Sequence, residues 1–361
     1  MTPAPRLDRA RRRMREVGVD VLAVSAGPDL IYLTGYEAMP LERLTMLVVA
    51  RDGDAVLLVP RLEVPRVDAD TPGFTVEAWD ETDDPIERIA KHAGGARVLA
   101  LGDHVFARDV LALQGALPDA RFVLASHVTS PLRIVKDEAE LGALRDAATA
   151  VDEIAQDMRD WSFRGRTERA IHRQLIEQIL DRGHERANFA IVATGPNAAS
   201  PHHEPGDRRI EPGDVVLCDF GGTMHGYCSD ITRMYAVGEP RAEVRDAYDA
   251  LVVAQEAAVR AATVGTRCSD VDAVARDSLH DAGLADRFVH RTGHGIGLEA
   301  HEDPYLVEGN DRPLEAGHAF SIEPGVYLPG RFGLRLEDIV IATPAGPQRL
   351  NHAPRDLAVV D

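Results

Sequence analysis

The sequence predicts an α/β protein of two domains, and three observations carry that expectation. At 361 residues the chain is longer than one ordinary hydrophobic core accommodates. Its first third alternates short strand-like apolar runs with helical or polar connections, the pattern of a compact α/β unit. Near SPLRIVKD, residues 130–137, the composition shifts and a long helical stretch begins. The boundary is therefore expected between an N-terminal domain, 1–131, and a C-terminal domain, 132–361.

The elements follow in order. Leu7 to Gly18 has helical spacing and stops at a glycine. GVDVLAVSAGPDLIYLTGY gives a strand, a turn at Gly27-Pro28 and a second apolar stretch. LTMLVVA and DAVLLVP are strand-like and joined by Arg51-Asp52-Gly53-Asp54, a hairpin signal. ARVLALG and ARFVLAS are two later strands. In the C-terminal domain, EAELGALRDAATAVDEIAQDMRDW reads as a long helix whose one interruption is Gly142. Further helices are expected over 167–182 and within 241–262 and 269–282, with strands in FAIVATG, DVVLCDFGG, DITRMYAV, AFSIEPGVYL and LRLEDIVIAT. There is no short-period repeat and no low-complexity tract.

Composition excludes some classes of function. The formal net charge is −19, from 59 acidic and 40 basic residues, which argues against nucleic acid or an anionic membrane surface as the main partner. No apolar run approaches the roughly 20 residues that span a bilayer. The N-terminus passes from basic residues into an amphipathic pattern without the apolar segment of a signal peptide, so a cytoplasmic location is expected. Cys218, Cys228 and Cys268, odd in number and without framework spacing, suit a reducing compartment. Cys218 and Cys228 lie near acidic residues, but an Asp-rich site suits hard cations and thiolates suit softer ones. Both are read as small buried strand residues.

The chemistry concentrates in five residues: Asp219, Asp230, His294, Glu323 and Glu337. They come from VVLCDFGGTMHGYCSDITRMY, HRTGHGIGLEAHEDP, FSIEPGVY and GLRLEDIV, four extended or loop segments that cannot form a helix-borne ladder of ion pairs. Asp219 and Asp230 are eleven positions apart around Gly221-Gly222 and Gly226, which reads as two adjacent strands aiming carboxylates at one point. Glu323 and Glu337, fourteen apart around Pro329-Gly330 and Gly333, read as a second hairpin doing the same. His294 falls in a glycine-rich loop whose small residues let the backbone approach a metal. Any one of these acids alone would pass as a solvated turn residue. Together, with Asp219, Glu323 and Glu337 set in apolar strands, they would repel one another unless cations were present. Two divalent ions offset four carboxylates and acidify a shared water to near neutral pH, so hydrolysis is the expected reaction class.

Other signals are weak. GHGIGLEAH lacks the Lys-Ser/Thr ending of a phosphate-binding loop, and no G-x-S-x-G nucleophile elbow occurs.

In the order, identity and spacing of these motifs the chain resembles the proline-specific metallopeptidases of the pita-bread family, which includes Xaa-Pro aminopeptidases, prolidases, creatinase and, more distantly, methionine aminopeptidases. The likeness covers nearly the whole chain. GVDVLAVSAGPDLIYLTGY resembles the N-terminal domain of the proline-specific branch, and PLRIVKDEAELGALRDA the entry into the catalytic domain. The resemblance implies a small N-terminal α/β domain followed by a pita-bread catalytic domain. It also implies that Asp219 chelates one metal, Asp230 and Glu337 bridge both, and His294 and Glu323 complete the second. Glu323 would carry the proton from the attacking water to the leaving amine. His202, in SPHHEP, would support the tetrahedral intermediate; His301 would contact the scissile peptide or its proline; His290 and Arg335 would lie close behind. His203 is read as an exposed bystander. Tyr227 would touch the metal-bound acids or fill the strand interface.

The implied reaction is hydrolysis of the Xaa-Pro bond at the N-terminus of short peptides, with Mn²⁺ the expected pair of metals and Co²⁺ or Zn²⁺ alternatives. The implied assembly is a homodimer. A dipeptidase would need a guanidinium for the substrate's C-terminal carboxylate. In several prolidases an Arg follows the proline of the segment that is His301-Glu302-Asp303-Pro304-Tyr305 here, and Tyr305 cannot replace it. This departure favours an aminopeptidase over a strict Xaa-Pro dipeptidase, unless Arg312 or Arg331 takes that role from a loop or a partner subunit. Metal-dependent non-peptidase hydrolases or lyases, metal-free creatinase-like hydrolases and non-catalytic binding modules on the same fold are the remaining alternatives, the last two opposed by five intact ligand positions.

Overall fold

A computed structural model describes residues 3–68 and 70–361. The chain divides into two compact units, 1–133 and 134–361.

The first unit runs α1 (Pro3–Val17), β1 (Val21–Ser25), α2 (Pro28–Thr34), β2 (Met46–Ala50), β3 (Ala55–Pro60), β4 (Thr75–Trp79), α3 (Pro85–His92), β5 (Val98–Leu101), α4 (Ala107–Ala116), β6 (Arg121–Leu124) and α5 (Ser126–Arg133). Gly18 ends α1 with a φ of 71°, a left-handed turn that a side chain would oppose. The strands form one mixed six-stranded sheet in the order β4-β3-β2-β1-β5-β6. β2 and β3 make the antiparallel hairpin that Asp52-Gly53 signals, and β1 pairs parallel to β5. The sequence expectations leave out β4, whose burial is only partial and whose apolar alternation is correspondingly weak.

The second unit begins with α6 (Glu138–Asp157) and α7 (Glu168–Asp181). Asp137 and Glu140 form a reciprocal capping box at the start of α6, an arrangement worth about 1 kcal/mol. There follow β7 (Arg186–Thr194), β8 (Val215–Met224), β9 (Tyr227–Cys228), β10 (Ile231–Val237), α8 (Ala242–Ala261), α9 (Cys268–Asp281), β11 (Gly293–Gly295), β12 (Glu302–Leu306), β13 (Ala319–Ile322), β14 (Gly325–Leu328), β15 (Phe332–Arg335), β16 (Asp338–Thr343), β17 (Gly346–Arg349) and β18 (Ala358–Val360). One sheet has the order β18-β10-β8-β7 with β9 on β8; another has β12-β11-β13-β16-β17; β14 and β15 form a separate ribbon.

The apolar run VVLCDF reflects burial on both faces of β8. Val216, Cys218 and Phe220 pack in one core with residues of α6 and α7, such as Val151 and Ile171. Val215 and Leu217 pack in another with α8, α9 and β13. Side chains alternate along a strand, so Asp219 shares the face of Val215 and Leu217.

Two expectations need refinement. AFSIEPGVYL is not one strand, because Pro324 has no N–H to continue the ladder; β13 stops at Ile322 and β14 starts at Gly325. LRLEDIVIAT likewise breaks at Leu336-Glu337. The hairpin is thus two ladders, β13 with β16 and β14 with β15. Ile322 pairs with Asp338 and Gly325 with Arg335, so Glu323 and Glu337 face each other at the break between them.

Candidate metal centre

Each carboxylate reaches the site for a reason visible in its strand. Asp219 lies in β8 opposite Thr232 of β10, and Asp230 immediately precedes β10. Thr232 also bridges to Glu337, which joins the two hairpins edge to edge. Glu337 accepts a hydrogen bond from Thr232 Oγ1 at 2.8 Å, and that hydroxyl accepts one from Arg335 Nε at 3.3 Å.

His294 does not lie in an open loop. It is the middle residue of β11, an inner strand paired with β12 and β13. Its neighbouring glycines serve strand packing: a Cβ on Gly293 would sit 1.9 Å from the Ser321 carbonyl oxygen, and one on Gly295 2.1 Å from that of Asp303. His294 Nδ1–H donates to the Gly295 carbonyl at 3.1 Å, which leaves the Nε2 lone pair facing Glu323 Oε1 at 3.3 Å and Asp230 Oδ2 at 3.7 Å.

These residues form three overlapping triads able to hold a cation: Asp219, Asp230 and Glu337; His294, Glu323 and Glu337; and Asp230, His294 and His301. Within each triad the ligand atoms lie within 4.8 Å of one another. Asp219 Oδ1, Asp230 Oδ1 and Glu337 Oε1 are buried and have no hydrogen-bond partner among the described residues. Three adjacent orphaned carboxylate oxygens are costly unless cations take their lone pairs, so this donor set fits divalent metal ions. Burial, reinforced by the neighbouring acids, raises the carboxyl pKa of Asp230 and of Glu337 well above the ordinary range, and burial pushes Glu323 up to about 7. Burial, together with His301, lowers His294 to about 3, so its imidazole is neutral and ready to ligate.

A cavity of about 1100 Å³ opens over the cluster. His202, His290, His301 and Arg335 all line it. His301 packs against His294 with ring centroids 3.9 Å apart and planes tilted by 39°, and its Nδ1 accepts from the Arg291 guanidinium at 3.3 Å, leaving Nε2–H as a donor. His202 is exposed on the wall. His290 uses both nitrogens within the site: Nδ1 donates to the Arg291 carbonyl at 2.7 Å, and Nε2 accepts from Tyr327 Oη at 2.8 Å. Arg335 is buried with its guanidinium on Asp219 and on Tyr327 Oη, the latter at 2.8 Å.

One reading is corrected and two are narrowed. His203 is no bystander: it is half-buried and its Nε2 donates to the buried carboxylate of Glu168 at 2.9 Å. Tyr227 points to α6 instead of the acids, donating to Glu140 at 2.8 Å. Neither Arg312 nor Arg331 of this chain lines the cavity; Arg331 pairs with Glu243, and the arginines along the cavity wall are Arg186, Arg291 and Arg335. Sequence reasoning also misses Thr232, Tyr327 and Arg233, whose Nη1 donates to the Glu337 carbonyl at 2.6 Å. The one available signal is parity, since Thr232 lies two positions beyond Asp230.

Against known families, residues 142–344 match the model of Metallopeptidase family M24, and residues 6–135 that of the Creatinase/Prolidase N-terminal domain. A protein of Mycobacterium bovis named "Probable dipeptidase PepE" is 44% identical over 365 residues, covering 99% of this chain and 96% of its own. An "Xaa-Pro dipeptidase" of Lactobacillus delbrueckii subsp. lactis is 36% identical over 363 residues, covering 98% of each. Among solved structures, dipeptidase PepE from Mycobacterium ulcerans superimposes with a TM-score of 0.94 at 44% identity, covering 99% of this chain and 98% of that one.

Proposed function

We infer the reaction from the premise that the chain belongs to metallopeptidase family M24 and carries a creatinase/prolidase N-terminal domain. The chain is a peptidase whose acidic and histidine clusters can bind metal. Beyond that, we propose a dinuclear site, with Asp219, Asp230, His294, Glu323 and Glu337 as ligands and Mn²⁺ as the expected metal. The substrate is the N-terminal Xaa-Pro bond of short peptides, which the name of the Lactobacillus relative supports. The observation that carries this reading is the set of three orphaned buried carboxylate oxygens beside a neutral histidine.

When bound, two divalent cations supply an acidified water and an electrophile for the carbonyl oxygen. The chain supplies the rest. Glu323, whose Oε1 lies 3.3 Å from His294 Nε2 and which lines the cavity, can take a proton from the nucleophile and return it to the proline nitrogen. His301 offers Nε2–H towards the scissile peptide, and His202 lines the same cavity. Arg335 orients Asp219 and, through Tyr327, His290. Phe189, Ile191, Leu298 and Ala300 give the cavity the apolar wall that a proline ring requires. A 132–361 catalytic domain, a homodimeric state and a cytoplasmic location, the last supported by three unpaired buried cysteines, belong to the same proposal.

The test is a substrate panel on protein stripped with chelator and reloaded with Mn²⁺, Co²⁺ or Zn²⁺. Xaa-Pro and Xaa-Pro-Yaa peptides should turn over only after reloading, with kcat/KM at least about 100-fold above an Xaa-Ala control. Metal-independent turnover, or equal rates on Xaa-Ala, would sink the reading.

A further inference from the structure

We propose that Glu168 is a positioning residue that holds His202 over the metal centre through the loop between β7 and β8. The inference rests on the metallopeptidase reading, in which His202 faces the reacting carbonyl.

Glu168 opens α7, and its side chain is fully buried. Its carboxylate receives the N–H of Thr194 at 2.9 Å, Asn197 Nδ2 at 3.0 and 3.2 Å, His203 Nε2 at 2.9 Å and the N–H of Gly206 at 3.0 Å. All four donors come from residues 194–206. Two precede His202 and two follow it, and none is His202 itself. The same stretch contributes residues 201–205 to the cavity wall.

A buried carboxylate is tolerated when its lone pairs are filled, and here one short loop fills them. The carboxylate is therefore the centre around which that loop is wound, and the place of His202 follows from it. The opposite side of the loop is also held. Arg335 Nη1 donates to the Pro201 carbonyl at 3.4 Å, and a Cβ on Gly333 would lie 1.8 Å from the Ala198 carbonyl oxygen. Glu168 does not line the cavity, so it acts on the reaction through the loop and not on the substrate.

The experiment is a double-mutant cycle on metal-loaded protein with an Xaa-Pro substrate, with bound metal quantified for every variant. H202A should lower kcat about 100-fold. E168Q should lower kcat about 30-fold while KM and Mn²⁺ affinity stay within about threefold, because the amide cannot accept from all four donors. On the H202A background, E168Q should change kcat by less than about threefold. Equal factors in both backgrounds would overturn the proposal, as would a fall in thermal stability with kcat per loaded site retained. Should E168Q not fold, N197A carries the same comparison, with a smaller loss in the wild-type background and none beside H202A. Wild-type kcat in H202A would remove the role of His202 and this inference with it. Absence of peptide hydrolysis by the loaded wild type would instead sink the metallopeptidase reading itself.

Discussion

Arg291 has no carboxylate partner among the described residues, although it borders a cavity floored by acids. Its guanidinium lies over the Tyr305 ring, 4.3 Å from the centroid, and donates to His301 Nδ1. Both contacts orient the planar fork without neutralising it. Tyr305 occupies the position at which the resemblance implies a dipeptidase guanidinium, and its ring supports one presented from position 291. His301 links the two sides of this corner: its ring centroid lies 3.9 Å from that of His294, and its Nδ1 lies 3.3 Å from the Arg291 guanidinium. That places a guanidinium without a carboxylate partner one side chain beyond the His294 imidazole, on the wall of the same cavity, where the carboxylate of a short peptide can meet it. Arg291→Met should therefore raise KM for an Xaa-Pro dipeptide at least about 10-fold, and leave the matching C-terminal amide within about threefold. Steady-state kinetics on the acid and amide pair checks this. Equal losses on both would remove Arg291 as the carboxylate partner and return preference to longer peptides.

At the scale of elements, the centre depends on how closely β11 and β13 approach. Gly293 has no room for a side chain beside Ser321, so Gly293→Ala has to push β11 away from β13 and displace His294, the next residue. Overpacking of this kind costs about 3 kcal/mol. The expected outcome is a lower urea midpoint together with less bound metal per chain; unchanged values would mean that the strands slide without cost. What is readable from sequence here is the hairpin logic: Asp219 lies in β8 and Asp230 leads into its neighbour β10, and Glu323 and Glu337 do face each other. Those features depend on local turn chemistry and strand parity. The strand identity of His294 is hidden because three residues rich in glycine carry no alternation, and only pairing to β12 and β13 defines them. Glu168 is hidden for a related reason. An acid in the first turn of a helix reads as an exposed partner of the helix dipole. Its burial depends on a loop 26 to 38 positions away folding back onto it. Long-range closure of that sort leaves no periodic trace.

For the molecule as a whole, a net charge of −19 already opposes compaction, and four of the acids counted in it are gathered at one centre. Metal binding should therefore be a large, pH-dependent part of its stability. Glu323 is raised from an ordinary 4.5 to about 7, so without metal the stability conferred by its proton is complete below 4.5 and is lost as pH rises through 7. Asp230 and Glu337 are raised in the same direction. Histidines pull the other way: His294, lowered to about 3, and His290, lowered by burial to about 4, contribute stability above pH 6.5 that is lost as pH falls. The metal-free melting temperature alone thus mixes opposing slopes, whereas the increment on adding metal isolates the carboxylates. Cations require ionised carboxylates, so binding displaces protons, and affinity should tighten about tenfold per pH unit for each proton released. At fixed Mn²⁺ the increment in Tm should grow from pH 5.5 to 7.5, since stabilisation follows RT ln(1 + [L]/Kd). Titration calorimetry in buffers of different ionisation enthalpy should show net proton release near pH 6.5. An increment independent of pH, with no proton release, would mean that the carboxylates are already ionised before metal arrives, held by some other positive charge.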